Sequence, residues 1–240
     1  MTYIKQLDSI RAIAVLLVIL SHWFEPKSIV NILPNGDLGV DIFFVLSGYL
    51  ITNILLDSKI KNALINKSNI STLKSFYWRR SLRIFPIYYL TIFVLYFFSK
   101  QTGTHLKSEF TYFLTYTSNF YFYLKGWDGM ISHLWSLSVE EQFYLIWPWT
   151  ILFVNKKYLL HTILFFIAIG VISGFFMSRL ITITSFNAFG LGALLAWQQK
   201  YQPILSLKFK RIFNVLVLAS LCVFIIGIVT RKWDFIPLRN

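Results

Sequence analysis

The sequence predicts an all-α protein built as a polytopic bundle of transmembrane helices. Of its 240 residues, 56% are hydrophobic and only 14% are charged, whereas a soluble domain carries about 25% charged residues. The apolar residues form segments of the length that a helix needs to cross the hydrocarbon core, about 17–25 residues. We interpret residues 1–240 as a single membrane-embedded domain with about seven spans. The predicted spans are 9–25, 38–56, 82–99, 138–154, 160–178, 181–198 and 211–230.

The charges of the connecting loops predict the orientation of the bundle. Lysine and arginine concentrate in the loops after the second, fourth and sixth spans, and such an excess is typical of cytoplasmic loops. The sequence therefore predicts a multi-pass protein of the inner (cytoplasmic) membrane with a cytoplasmic N-terminus. The net charge of +13 follows from these loops, so we expect no nucleic-acid partner. The long connection 100–137 lies outside, and its tyrosine and phenylalanine residues favour the headgroup interface or a re-entrant segment.

Two polar residues in the first span, Arg11 and His22, are the strongest functional signal. They are eleven positions apart, which places them within about 20° of each other on one helix face and about 16 Å apart along its axis. Ionisable groups inside a bilayer are costly and commonly mark functional sites. The orientation places Arg11 toward the cytoplasmic end of the helix and His22 toward its outer end.

A carboxylate, Asp41, opens the second span. One interpretation is an interfacial residue that the dipole of the helix N-terminus favours. The other is a buried partner that orients the ring of His22 and raises its basicity. Both residues lie at the outer ends of neighbouring spans, so the sequence permits the contact.

Three arginines, Arg79, Arg80 and Arg83, open the third span at its predicted cytoplasmic end. They either anchor the helix as snorkelling cations or form a clamp for phosphate, whose oxygen atoms match the guanidinium fork. Together with Arg11 they would form a basic pocket at the cytoplasmic face. Such a pocket suits the pyrophosphate of a coenzyme.

The segment 133–144 leads into the fourth span and carries a histidine and two acids, His133, Glu140 and Glu141. Ser138 and Glu141 have the S-x-x-E spacing of a helix capping box. The alternative is that the two acids and the histidine bind a hydroxylated substrate where the outer loop meets the membrane.

Two further patterns bear on packing and on metals. Gly190 and Gly192 in the sixth span are predicted to allow close helix packing. The chain has one cysteine and four scattered histidines without metal-ligand spacing, so we expect no metal site.

These segments together resemble the acyltransferase-3 family of integral membrane acyltransferases. The resemblance is specific because four motifs occur in the family's order over residues 7–148, with a looser fifth at 189–196. The four motifs are Arg11–His22, Gly39–Ile51, Arg80–Tyr88 and Trp135–Tyr144.

The resemblance implies an activity. Members of this family transfer an acyl group, most often acetyl from cytoplasmic acetyl-CoA, to sugar hydroxyls of cell-envelope glycans such as O-antigen, exopolysaccharide or peptidoglycan. The expected partners are therefore a cell-envelope glycan or a lipid-linked sugar as acceptor, together with membrane lipids.

The resemblance also implies roles for particular residues. His22 matches the histidine regarded as catalytic, as general base or acyl carrier, and Arg11 matches its partner. Arg80 and Arg83 match an arginine pair on the cytoplasmic side, so we expect acetyl-CoA to be bound by these arginines and Arg11. The remaining expected site residues are Asp41 and Glu140 in catalysis and His133, Trp135 and Glu141 in acceptor binding.

Two alternatives to an active acyltransferase follow from the same residues. The family usually has about ten spans, so the sequence is expected to be truncated at its C-terminus, and a truncated remnant would have no turnover. Intramembrane His, Asp and Arg residues also build the proton relays of transporters, although the sequence contains no inverted repeat of the kind that transporters use.

Overall fold

The computed structural model describes residues 5–24 and 35–202, and all regular structure in these two segments is helical. The prediction of an all-α fold is therefore confirmed for this part of the chain. The α-helices are α1 (Lys5–Trp23), α2 (Asn35–Leu64), α3 (Asn69–Phe97), α4 (Ser99–Thr102), α5 (Phe110–Leu114), α6 (Ser118–Lys125), α7 (Leu134–Phe153), α8 (Lys156–Gly174) and α9 (Phe186–Tyr201). Short 3-10 turns at Gly129–Ile131 and Thr182–Ser185 precede α7 and α9.

Three helices, α1, α2 and α8, are long and apolar enough to cross a membrane by length and composition. The protein is thus a membrane protein, while the predicted count of about seven spans is not confirmed. Helices α3, α7 and α9 occupy the positions of the third, fourth and sixth predicted spans. The predicted span 211–230 lies outside the described residues.

Helix α3 begins much earlier than the span predicted at 82–99. It starts at Asn69, where the Ser68 side chain caps it by accepting a hydrogen bond from the backbone N–H of Ile70 at 3.2 Å. The predicted span began where the sequence becomes apolar, whereas the helix begins at the residue after its N-cap serine. Arg80 therefore lies about 16 Å along the helix from its first residue instead of at its entrance.

Glycines bring the backbones of α2, α8 and α9 together. A Cβ at Gly48 would overlap the carbonyl oxygen of Phe189, and one at Gly192 would overlap the carbonyl oxygen of Val45. At Gly190 a Cβ would lie 2.5 Å from Cγ1 of Ile167 on α8. The predicted packing role of Gly190 and Gly192 is confirmed, because a larger residue has no space in these helix contacts.

Replacing Gly192 by alanine is expected to destabilise the bundle. The added methyl group meets backbone atoms of α2 that cannot move independently, and overpacking of this kind costs about 1–3 kcal/mol. Thermal unfolding of the purified protein in detergent measures the effect. Gly174→Ala is the matched control, because nothing lies within 4 Å of a Cβ at this helical glycine. Equal melting temperatures for the two variants would contradict the close approach of α2 and α9.

The connection between α3 and α7 folds over one end of the bundle. Its helices α4, α5 and α6 are too short to cross a membrane. Phe113 and Phe122 are buried in the protein core, whereas Phe120 and Tyr123 are exposed. The aromatic residues that predicted an interfacial or re-entrant segment are thus divided between the core and the surface.

Candidate functional site

A polar cluster lies where α2, α3 and α7 meet. Ser47 donates a hydrogen bond to Oε1 of Glu140 at 2.6 Å. Arg80 donates from Nε and Nη2 to Oε1 of Glu141 at 3.1 and 2.7 Å, and its guanidinium carbon lies 3.2 Å from the centre of the Tyr144 ring. We call Ser47, Arg80, Glu140, Glu141 and Tyr144 the central polar cluster.

The central polar cluster lies deep within the bundle. Toward the predicted cytoplasmic end, Lys59 of α2 donates to the carbonyl oxygen of Val154, and Asn69 of α3 donates to that of Leu152 at 2.9 Å. From this layer to Ser47 is about 18 Å along α2, which is more than half of a hydrocarbon core of about 30 Å. The cluster therefore lies well inside the bundle, and ionisable groups in the interior of a membrane protein commonly mark functional sites.

The start of α7 overturns one prediction. The helix begins at Leu134, so Ser138 lies in its second turn and does not cap it. Ser138 is buried and forms a hydrogen bond with Oγ of Ser118 at 2.8 Å, and Glu141 binds Arg80. The predicted capping box of Ser138 and Glu141 is wrong because the helix starts one turn before the motif.

The remaining residues at the start of α7 differ in exposure. Trp135 is buried and packs edge to face on Phe44, with ring centres 6.2 Å apart. His133, the residue before the helix, is exposed. Of the predicted acceptor contacts His133, Trp135 and Glu141, only His133 has an exposed side chain.

Helix α1 packs antiparallel on the first turns of α2 through two glycines. A Cβ at Gly36 would lie 2.7 Å from Oγ of Ser21, and one at Gly39 would lie 2.7 Å from Cγ2 of Val18. Continuing this register places His22 level with Asn35, at the beginning of α2. The imidazole of His22 is exposed there.

The same register brings Arg11 level with Leu46, next to Ser47. Arg11 thus lies at the depth of the central polar cluster, and Nη1 forms an ion pair with Oδ1 of Asp8 at 3.1 Å. The Arg11 side chain is 41% exposed. The two members of the Arg11–His22 pair lie at different depths, as their spacing predicts.

Asp41 pairs with an arginine that the sequence analysis did not select. Arg179, in the connection between α8 and α9, donates from Nη2 to Oδ1 of Asp41 at 2.6 Å and to the backbone oxygen of Asp37 at 3.0 Å. Within residues 5–24 and 35–202 no ion pair joins Asp41 to His22. Arg179 is the only charged residue between Lys157 and Lys200, in a loop predicted to face outward, and an isolated cation there was a usable signal.

The arginines of the predicted basic pocket have different surroundings. Arg80 is directed at Glu141 and its side chain is only 16% exposed. Arg79 and Arg83 are exposed on α3. Arg11 is paired with Asp8, and a phosphate site shared by Arg11, Arg80 and Arg83 remains a prediction.

The fold and the cluster define a helical membrane protein with a polar centre in its interior. The chain belongs to the acyltransferase-3 family, because the family model described as "Acyltransferase domain" matches residues 4–239. That match covers all the motif residues discussed above.

Named relatives agree with this family. Peptidoglycan O-acetyltransferase OatA of Listeria monocytogenes is 34% identical over 260 residues, which cover 93% of this chain and 39% of the relative. Putative peptidoglycan O-acetyltransferase YrhL of Bacillus subtilis is 39% identical over 158 residues, covering 61% of this chain and 23% of the relative. A putative O-acetyltransferase of Staphylococcus aureus (strain COL) is 35% identical over 173 residues, covering 66% and 27%.

The chain spans about two fifths of the length of the Listeria relative and less of the other two. No solved structure matches the chain.

Proposed function

We propose that the protein is a membrane O-acyltransferase that transfers acetyl from acetyl-CoA to a hydroxyl group of a cell-envelope polysaccharide. The observation that carries the proposal is the exposed imidazole of His22, held at the end of α1 by glycine packing on α2, in a chain that belongs to an acyltransferase family. The names of two relatives make peptidoglycan the first acceptor to test. The protein acts in the inner membrane with its N-terminus in the cytoplasm.

The donor side of the reaction is assigned to arginines. Arg11 and Arg83 keep exposed side chains, and their guanidinium forks match phosphate oxygens. Arg80 holds Glu141, so its part is to order the central polar cluster. Because Arg11 and His22 are about 16 Å apart along α1, a donor with its phosphates near Arg11 has its pantetheine arm free to extend toward His22.

Two routes use His22. In the first, its ring takes the proton of the acceptor hydroxyl, the oxygen attacks the thioester carbonyl carbon, and the C–S bond breaks to release the CoA thiol. In the second, a ring nitrogen attacks the thioester, CoA leaves, and the acceptor oxygen then displaces histidine from the acyl-imidazole. In both routes the acceptor hydroxyl loses one proton and the CoA thiolate gains one, so the number of protons on the enzyme is unchanged after a full cycle.

The other polar residues are assigned supporting parts. Asp41 fixes the α8–α9 connection through Arg179, close to the end of α1 that carries His22. Glu140 provides a carboxylate in the interior of the bundle, where Ser47 donates a hydrogen bond to it. His133 is the proposed acceptor contact at the outer end of α7.

Incubating membranes that contain the full-length protein with radiolabelled acetyl-CoA tests the proposal. We expect label in the glycan fraction, with peptidoglycan separated from lipid-linked sugars to identify the acceptor. Membranes lacking the protein set the background. Label in the glycan fraction no higher than this background would contradict the proposed acyltransferase activity and favour the transporter alternative.

A further inference from the structure

A polar cavity lies where α2 turns into α3, at the predicted cytoplasmic end of the bundle. Its volume is about 480 Å³. Its polar lining residues are Lys59, Asn62, Asn66, Lys67, Ser68 and Asn69. The lining contains two lysines and no acidic residue, so the cavity offers positive charge and hydrogen-bond donors together.

The inner wall of the cavity is fixed by hydrogen bonds. Asn62 is 5% exposed, and its Nδ2 donates to Oδ1 of Asn69 at 3.0 Å and to Oγ1 of Thr72 at 2.9 Å. Asn69 donates in turn to the carbonyl oxygen of Leu152 on α7, and the backbone N–H of Lys67 donates to the carbonyl oxygen of Asn62 at 3.0 Å. These bonds hold α2, α3 and α7 around the cavity, which is therefore part of the folded structure.

Neither lysine of the cavity has a carboxylate partner within residues 5–24 and 35–202. Lys59 is partly buried, and its Nζ donates to the carbonyl oxygens of Ile151 and Val154. These neutral groups use two of the three N–H donors of the ammonium group and leave its charge without a counter-ion. Because a partly buried cation is costly without an opposite charge, the cavity favours an anionic ligand.

The surrounding sequence supplies little negative charge. No aspartate or glutamate occurs between Asp57 and Glu109, and Asp57 forms an ion pair with Lys200. The same stretch also contains Lys61 and Lys74, which are both exposed. The summed positive charge around the cavity therefore attracts anions.

The depth of the cavity favours a lipid as the source of the anion. Helix α2 has 30 residues and is about 45 Å long, which matches a bilayer of about 40–45 Å with both of its headgroup layers. The end of α2 thus reaches the layer of lipid phosphates. Leu64 and Ile65, at this end, are 79% and 57% exposed. Apolar side chains beside lysines match a lipid, whose phosphate lies next to its apolar acyl chains.

We propose that this cavity binds the phosphate group of an anionic phospholipid of the cytoplasmic leaflet. Lys67 and the remaining N–H of Lys59 donate to the phosphate oxygens, while Leu64 and Ile65 contact the apolar part of the lipid. No carboxylate lines the cavity, so the cationic choline of a zwitterionic lipid has no partner there. The inference requires only a membrane protein and is independent of the acyltransferase proposal.

Thermal unfolding of the purified protein in detergent, titrated with dioctanoyl phosphatidylglycerol, tests the site. A ligand that binds only the folded state stabilises it, so we expect a saturable rise in melting temperature and no such rise with dioctanoyl phosphatidylcholine. A lysine near an anionic lipid contributes about fivefold in affinity. Lys67→Gln should therefore shift the midpoint of the titration to an about fivefold higher lipid concentration.

Lys61→Gln is the matched control. Lys61 is exposed in the last turn of α2 and does not line the cavity. This variant removes the same charge from the same end of the bundle, and it should keep the wild-type midpoint.

Two further measurements identify the ligand and the lysine without relying on the stability of a variant. Modification of wild-type lysines by an amine-reactive reagent, read by mass spectrometry, should be slowed by phosphatidylglycerol at Lys67 and unchanged at Lys61. Glycerol phosphate carries the phosphate without acyl chains, and at equal concentration it should raise the melting temperature less than the lipid.

Three results would overturn the inference. An equal midpoint for wild type and Lys67→Gln, without protection of Lys67, would show that the lipid does not bind in the cavity. Equal shifts in Lys67→Gln and Lys61→Gln would show a diffuse attraction to the whole basic surface. An equal rise with glycerol phosphate and with the lipid would assign the cavity to a soluble phosphate compound.

Discussion

Replacing His22 by alanine is expected to reduce acetyl transfer to the background of membranes without the protein. As a general base the imidazole contributes about 10²–10⁴-fold, and as an acyl carrier its removal eliminates the reaction path. The side chain is exposed at the end of α1, so its truncation removes little packing and the variant should fold. The measurement is the initial rate of label transfer from acetyl-CoA to the glycan fraction, normalised to the amount of protein in the membrane.

His161→Ala is the matched control for His22→Ala. His161 is an exposed histidine on α8, another of the helices that are long and apolar enough to cross a membrane, and it should retain wild-type transfer. Label that stays on the wild-type protein when acceptor is withheld, and is absent from His22→Ala, identifies the acyl-histidine route. A wild-type rate in His22→Ala would exclude both proposed routes.

Arg80→Met is expected to lower the free energy of unfolding by about 3–5 kcal/mol. Glu141 is only 12% exposed, and removing its partner leaves a carboxylate in the interior of the bundle without its charge-assisted hydrogen bonds. The loss of the guanidinium from the face of the Tyr144 ring adds to the cost. Chemical or thermal unfolding in detergent measures the change.

Two variants show whether the effect belongs to the Arg80–Glu141 pair. In the double variant Arg80→Met/Glu141→Leu no unpaired charge remains, and most of the lost stability should return. Arg83→Met alters an exposed arginine on the same helix and should change stability by no more than about 0.5 kcal/mol. If Arg80→Met and Arg83→Met have the same free energy of unfolding, the central polar cluster does not stabilise the fold.

The sequence predicted the helical class and the packing glycines well because these follow from local chemistry. Apolar segments located the long helices, and the small residues Gly190 and Gly192 indicated where two of them approach. The start of α3 at Asn69 was not predicted, because an N-cap serine, and not apolarity, determines where that helix begins. Arg80 consequently lies within the helix and not at its first turn.

The pairing of the site residues could not be predicted in the same way. The partners of Asp41 and Glu141 come from distant positions, Arg179 and Arg80, and a spacing rule reaches only neighbours on one helix. His105 and Asp128, whose Nδ1 and Oδ1 atoms are 3.2 Å apart, lie in a connection without regular periodicity, so only the folded structure brings them together. The roles of His22, Arg11 and Glu140 stay predictions, and the His22→Ala variant tests the first of them.

The glycine contact between α2 and α9 has a mechanical consequence. Gly48 is adjacent to Ser47, and at its other end α9 is tied to α2 by the bond from the Tyr49 hydroxyl to Gln199 at 2.6 Å and by the ion pair of Lys200 and Asp57. Backbones in such contact cannot slide past each other without first separating. We therefore expect the two helices to move as one rigid unit, so that a displacement of the C-terminal end of α9 would also displace Ser47 and its hydrogen bond to Glu140.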